Sequence, residues 1–174
     1  MRRGRRWLGA TPARLALVAA CVGVGVAGCA GTRIEGGIFR GRTYQVELPA
    51  GWQAVPDGRA DLALSRQDAP GGMLANATCQ GREPARPLEV LTRHLLFGLK
   101  ERQILERAEI QVNGQPAERT VFEGKSAEDG RVQGEAYVIK AADCVYDLLY
   151  VSPPQYFEQG RPDFDRFVRS LRRP

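Results

Sequence analysis

The sequence predicts an α+β fold: an antiparallel sheet of about six to seven strands, covered by a mid-chain helix and a C-terminal helix. Three observations predict it. Period-two alternation of apolar and polar residues recurs from Thr43 onward, interrupted by turn residues. Asn113-Gly114 stands between two such runs as a two-residue hairpin signal. Leu88, Leu91, Leu95 and Leu99 repeat at helical spacing, and so do Phe164, Phe167, Val168 and Leu171. Strands joined by hairpins pair antiparallel, and amphipathic helices need a sheet face on which to bury their stripes.

The chain opens differently. Residues 1–14 hold five arginines and no acid, and Leu15 to Ala27 is apolar or small throughout. Basic, then apolar, then small is the order of an export signal. Thirteen residues are too few for a spanning helix, which needs about 20. The run ends in Val26-Ala27-Gly28-Cys29, which resembles the lipobox of bacterial lipoproteins. That resemblance implies cleavage between Gly28 and Cys29, a diacylglycerol on Cys29, and a mature chain held to a membrane by acyl chains. Ala30 after the cysteine resembles the enterobacterial pattern for sorting to the outer membrane, so the expected address is the bacterial cell envelope, facing the periplasm. Arg5-Arg6 resembles a twin-arginine signal in that pair alone, which leaves the export route open. The expected organisation is a signal peptide at 1–28, a flexible tether at 29–42 with four glycines, and one domain at 43–174.

The cut changes the charge. The whole chain has 25 lysines and arginines against 20 acids, but the five arginines before Cys29 leave 20 against 20. Nucleic-acid binding needs a basic surplus to displace phosphate counterions, so that class is excluded. Gly23, Gly25 and Gly28 spell a dinucleotide-binding G-x-G-x-x-G. It lies inside the export signal rather than between a strand and a helix, so it binds no cofactor. Cys21 leaves with the signal and Cys29 carries lipid. Cys79 and Cys144 remain, an even pair in an exported chain, and a disulfide is the preferred reading; two buried free thiols are the other.

The elements follow in order. Tyr44, Val46 and Leu48 alternate with polar residues as a half-buried strand, and Pro49-Ala50-Gly51 turns the chain before Trp52. Leu62 to Ser65 is a second strand, Pro70-Gly71-Gly72 a turn, and Met73 to Cys79 a third strand. Pro87 suits a helix start, and the leucine stripe carries that helix to Lys100 or Glu101. Val90, His94 and Phe97 form a second stripe on it, which needs either a covering layer or a partner. Ile104–Val112 and Gln115–Glu123 flank Asn113-Gly114, and Val132–Lys140 and Cys144–Val151 make another hairpin. The last strand is apolar on both faces apart from Asp147, as a central strand covered on both sides should be. Pro162 and Asp163 open the final helix, whose C-terminal Arg169, Arg172 and Arg173 suit the helix dipole and can meet anionic headgroups.

The order β-β-β-α-β-β-β-β-α resembles the PsbP-like sandwich, named after an extrinsic protein of photosystem II. Tyr44-x-Val46-x-Leu48-Pro49-x-Gly51-Trp52 is similar to its opening strand and turn, and Phe164-x-x-Phe167-x-x-Ser170-Leu171 to its closing helix. The resemblance implies accessory and assembly roles exerted through a surface, and it carries over no binding residues.

Chemistry is sparse. A single histidine, His94, excludes multi-histidine metal sites, and no Gly-x-Ser-x-Gly elbow occurs. No catalytic, cofactor-binding or metal-ligating set is expected. Asp147 is the odd residue, since a carboxylate in an apolar strand needs a partner; an arginine, or Glu135 in a carboxylate pair, is the candidate. Asn76-Ala77-Thr78 matches a glycosylation sequon, disregarded here because it lies inside a strand of a bacterial chain. The expected function is a non-enzymatic accessory domain that binds an envelope protein through a sheet edge or the Val90/His94/Phe97 stripe. A small-ligand or lipid-binding module is one alternative, and a hydrolase using Asp147 or His94 is another.

Overall fold

The computed structural model describes residues 34–56, 59–126 and 130–173. The lipobox, with Gly28 and Cys29, lies outside them. Three short strands, β1 (Ile34–Glu35), β2 (Ile38–Arg40) and β3 (Gln45–Glu47), pair antiparallel as a small sheet. Seven more make the main sheet: β4 (Trp52–Val55), β5 (Leu62–Arg66), β6 (Gly72–Thr78), β7 (Lys100–Val112), β8 (Gln115–Ser126), β9 (Gly130–Ala141) and β10 (Cys144–Ser152). Their spatial order is β4-β5-β6-β10-β9-β8-β7, and every pairing is antiparallel.

β10 is the central strand, as its two apolar faces predict. Val145 packs with Val138 under helix α1 (Leu88–Leu95), where Leu91 is buried. Tyr146, Leu148 and Tyr150 point the other way, into the larger core beneath helix α2 (Phe157–Arg169). The domain is therefore three-layered, helix on sheet on helix, with most of its buried aromatic volume on the α2 side.

Four readings of the sequence need correction. Residues 34–40, taken as the end of a tether, form β1 and β2; Phe39 is buried, packing on Tyr44, so this stretch gains core contact and cannot swing freely. The strand predicted from Thr43 lies in the small sheet, and the first strand of the main sheet is β4, which starts at Trp52. The first helix stops at Leu95 rather than near Lys100. Leu96 is buried against Phe122 and Ala136, and Lys100 already pairs with Lys125, so sheet pairing overrides the leucine spacing. The second helix starts at Phe157, five residues before Pro162. Phe157 stacks on Tyr150 at 5.6 Å, and this packing outweighs the one backbone hydrogen bond lost at the proline.

Gly160 lets α2 approach Tyr150. A Cβ at that position would lie 2.3 Å from the Tyr150 hydroxyl and 2.7 Å from Cζ. That hydroxyl is itself 3.3 Å from the carbonyl oxygens of Tyr156 and Phe157, and the ring is buried, so it has no room to retreat. Alanine gains about 1 kcal/mol of helix propensity, but overpacking a filled core costs more. Gly160→Ala is expected to lower stability by about 1–3 kcal/mol, read as a lower urea midpoint; a raised midpoint would show that the ring moves aside freely.

Candidate functional site

The disulfide is present. Thr78 pairs with Val145 at the end of the β6–β10 ladder, and Cys79 and Cys144 are the next residues outward on each strand. Their sulfurs are bonded, joining positions 65 apart in sequence. The bond ties the middle of the chain to the central strand and leaves neither thiol free.

The face that carries α1 holds Val90, His94 and Asp147, with Phe97 in the turn after the helix. Pro84 sets a 3-10 turn at Glu83–Ala85, and Pro87 starts α1 directly after it. Leu91 faces the sheet, which turns the second stripe outward: Val90 is half-buried, His94 is exposed, and Phe97, in the turn after the helix, is 85% exposed. No covering layer lies over that stripe among the described residues. His94 Nδ1 is 3.8 Å from Glu83 Oε2, an ion pair when the imidazole is protonated. The other oxygen of Glu83 accepts a hydrogen bond from Arg86 Nε at 3.0 Å. Lys140 Nζ donates to the Arg86 carbonyl at 3.0 Å, which pins this turn to the sheet.

Asp147 lies on the same face, between Asn76 on β6 and Val138 on β9. Its expected partners are not the ones it has. Glu135 pairs with Tyr150 and points to the opposite face, so the two carboxylates are separated by the sheet. Nor does an arginine set its charge. Burial first, and the negative charge of Glu83 second, push its pKa up to about 6; an arginine would act in the other direction. The sign of the pH effect follows. The unfolded carboxyl has a pKa of about 3.9, so the native state holds the proton more tightly. The stability this confers is present in full below about pH 4 and is lost as pH rises to about 6. Asp147→Asn is expected to remove that loss, raising stability at pH 7.5 by about 1–2 kcal/mol while changing little at pH 4. Urea midpoints at both pH values check it; an equal shift at each would exclude the titration.

Glu83 is the residue that sequence reasoning missed. It adjoins both His94 and Asp147, and the Pro84/Pro87 bracket was its only sequence signal. Glu83 thus links the exposed imidazole of His94, by contact, to the buried carboxyl of Asp147, by charge. Among the described residues, no cluster of three histidine, cysteine, aspartate or glutamate side chains is arranged to hold a metal ion. Arg169 ends α2, on the opposite face of the sheet, and Arg172 and Arg173 follow it. Asn113 Nδ2 donates to the Leu171 carbonyl at 2.8 Å, and Arg172 forms a β-bridge with Gln45.

No family model matches the chain, and no curated protein sequence does. Solved structures are similar to it. CyanoP, the PsbP protein of the cyanobacterium Synechocystis, aligns with a TM-score of 0.55 at 10% identity, over 75% of this chain and 86% of its own. LpqN of Mycobacterium tuberculosis, described as involved in cell envelope biogenesis, aligns with a TM-score of 0.55 at 14% identity, over 75% and 82%. A Bacteroides thetaiotaomicron protein aligns at 0.55 and 7% identity, over 75% of this chain and 45% of its own. At these identities the likeness is one of fold, and the chain has the fold of the PsbP-like sandwich.

Proposed function

We propose that this protein is a lipid-anchored envelope lipoprotein whose domain is an accessory module, binding a partner protein through the outer stripe of α1. The single observation that carries the binding surface is Phe97: an aromatic ring 85% exposed beside half-buried Val90 and exposed His94. A bare phenylalanine costs a folded chain hydration energy without stabilising it, and aromatic residues are the usual anchors of interfaces. Anchoring is supported by the lipobox, export by the Cys79–Cys144 bond, which persists in oxidising compartments, and an envelope role by the fold shared with LpqN.

Two measurements test the reading. Cys29→Ser is expected to move the protein out of the membrane fraction and to remove the mass of the acyl chains; unchanged fractionation and mass would refute the anchor. Phe97→Ser is expected to leave thermal stability within about 0.5 kcal/mol, as for an exposed site. It should weaken co-purification of a defined envelope partner from solubilised membranes by roughly tenfold or more; equal recovery would refute the surface.

A second reading has one observation in its favour. Glu83 lies beside His94 and its charge acts on Asp147, and a carboxyl with a pKa near 6 can act as an acid or base. On that reading Asp147→Asn abolishes a hydrolytic activity, whereas on the first reading it changes only stability.

A further inference from the structure

We infer that the end of the domain formed by the small sheet and the chain's last residues is the face that rests on an anionic bilayer leaflet, which holds Phe97 on the far side, away from the lipid. The inference rests on the lipoprotein reading above and adds the orientation of the domain on its membrane.

The charge pattern comes first. Arg40 on β2 stands opposite Gln45 on β3, and Gln45 is bridged on its other side by Arg172. Residues directly opposite one another in adjacent strands share a face, so Arg40, Gln45 and Arg172 form one row. Arg40 Nη1 donates to Gln45 Oε1 at 2.7 Å. Arg172 Nη1 donates to the carbonyls of Arg169 and Leu171, at 2.6 and 2.9 Å. Neither guanidinium is committed to a carboxylate by these bonds, so both keep donors for phosphate. Arg42, between β2 and β3, and Arg173, next to Arg172, are exposed as well. The acids on this end are Glu35 and Glu47, both exposed, Asp61 beside Tyr44, and Asp165, which is paired with Arg169. With the Arg169–Asp165 pair cancelling, four arginines stand against three acids, a positive surplus of one. The chain from Cys29 onward is neutral, so the rest of the domain carries the matching negative surplus, and an anionic surface orients such a molecule arginine end down.

The tether points the same way. Cys29 precedes Ile34 by five residues, and five residues reach at most about 18 Å. Arg33 falls within that link. The first strand of the small sheet is thus confined near the leaflet that holds the acyl chains, and Ile34, 36% exposed, offers it an apolar side chain. Screening over about 8 Å at physiological salt limits the attraction to charges held this close.

Phe97 lies at the other end. The arginine end is fastened to the β7–β8 turn through Asn113, whereas Leu96 packs on Phe122 and Leu99 approaches Gly124. From Gln115 to Gly124 along β8 is about 30 Å at 3.4 Å per residue. A domain standing on its arginines therefore presents Phe97 outward, where a partner can reach it.

The test uses the native lipoprotein reconstituted into vesicles of phosphatidylethanolamine with about a third phosphatidylglycerol, and into neutral phosphatidylcholine vesicles. Arginine labelling by phenylglyoxal is followed site by site by mass spectrometry. Labelling of Arg40, Arg42, Arg172 and Arg173 is expected to be slower by about fivefold or more on the anionic vesicles and to recover at about 0.5 M salt. Arg131, with a well-exposed side chain at the Gly130 end of β9, should label equally on both. Equal rates at the four arginines, or protection of Arg131 instead, would overturn the orientation while leaving the anchor intact. A chain that floats with neither kind of vesicle would overturn the lipoprotein reading, and the orientation with it.

Discussion

Replacing Glu135 with alanine is expected to destabilise the domain by about 3–5 kcal/mol, the usual cost of removing one partner from a buried ion pair. Glu135 is fully buried, yet none of its oxygens lacks a partner. Arg119 Nε donates to Oε1, Arg161 Nε reaches Oε2 at 3.2 Å, and the Tyr137 hydroxyl donates to Oε1 at 3.3 Å. Arg119 also holds Glu106 at 2.9 Å, and the Arg161 guanidinium sits 5.7 Å from the Phe157 ring centroid. The carboxylate therefore joins β8, β9 and α2. Burial, followed by the charge of Glu135, pushes the Tyr137 hydroxyl up to about 12, so it remains a donor throughout the working pH range. Without the carboxylate, Arg119 stays largely buried with one exposed acid as its counterion, and Tyr137 loses its acceptor. Domain stability is typically about 5–15 kcal/mol, so the loss is a large fraction of it. Glu135→Gln keeps an acceptor and should cost less. Urea unfolding of the three proteins decides the matter: a loss below about 1 kcal/mol for alanine would mean that water replaces the carboxylate at no penalty.

The second large effect is expected from the disulfide. A bond closing a loop of 65 residues restricts the unfolded chain by about 4 kcal/mol in the chain-entropy treatment. For a domain of this size that is a fall of roughly 10–15 °C in melting temperature on reduction, or in the Cys79→Ser/Cys144→Ser double variant. Calorimetry with and without reductant measures it. Agreement between reduction and the double variant would assign the loss to loop closure, and a fall of less than about 3 °C would refute that assignment.

The history of Glu135 shows what a sequence can and cannot say. It lies between Gly134 and Ala136 in an alternating strand, so local pattern offers no reason to single it out. Proximity in the hairpin places it near Asp147, but register decides the face, and β9 pairs Glu135 with Tyr150 and Val138 with Asp147. One residue of register sends the two acids to opposite sides of the sheet. The clasping arginines come from positions 16 and 26 residues away, beyond the reach of any periodicity argument. Phe157 was missed as a helix residue for the same reason, since its helical state depends on stacking against Tyr150 across the core.

By itself the sequence determined the α+β class, the hairpins around Asn113-Gly114 and Ala142-Asp143, the two amphipathic helices and the centrality of β10, and it made a bond between Cys79 and Cys144 the preferred reading. These are local facts: period-two alternation, turn chemistry and helical spacing of apolar residues. Only the tertiary structure decided that residues 34–40 join the fold, that Asp147 answers to Glu83, that Glu135 is clasped by Arg119 and Arg161, and that Arg40 and Arg172 flank Gln45. Each depends on which strands lie side by side and in which register, and that is set by how the whole chain buries its apolar surface.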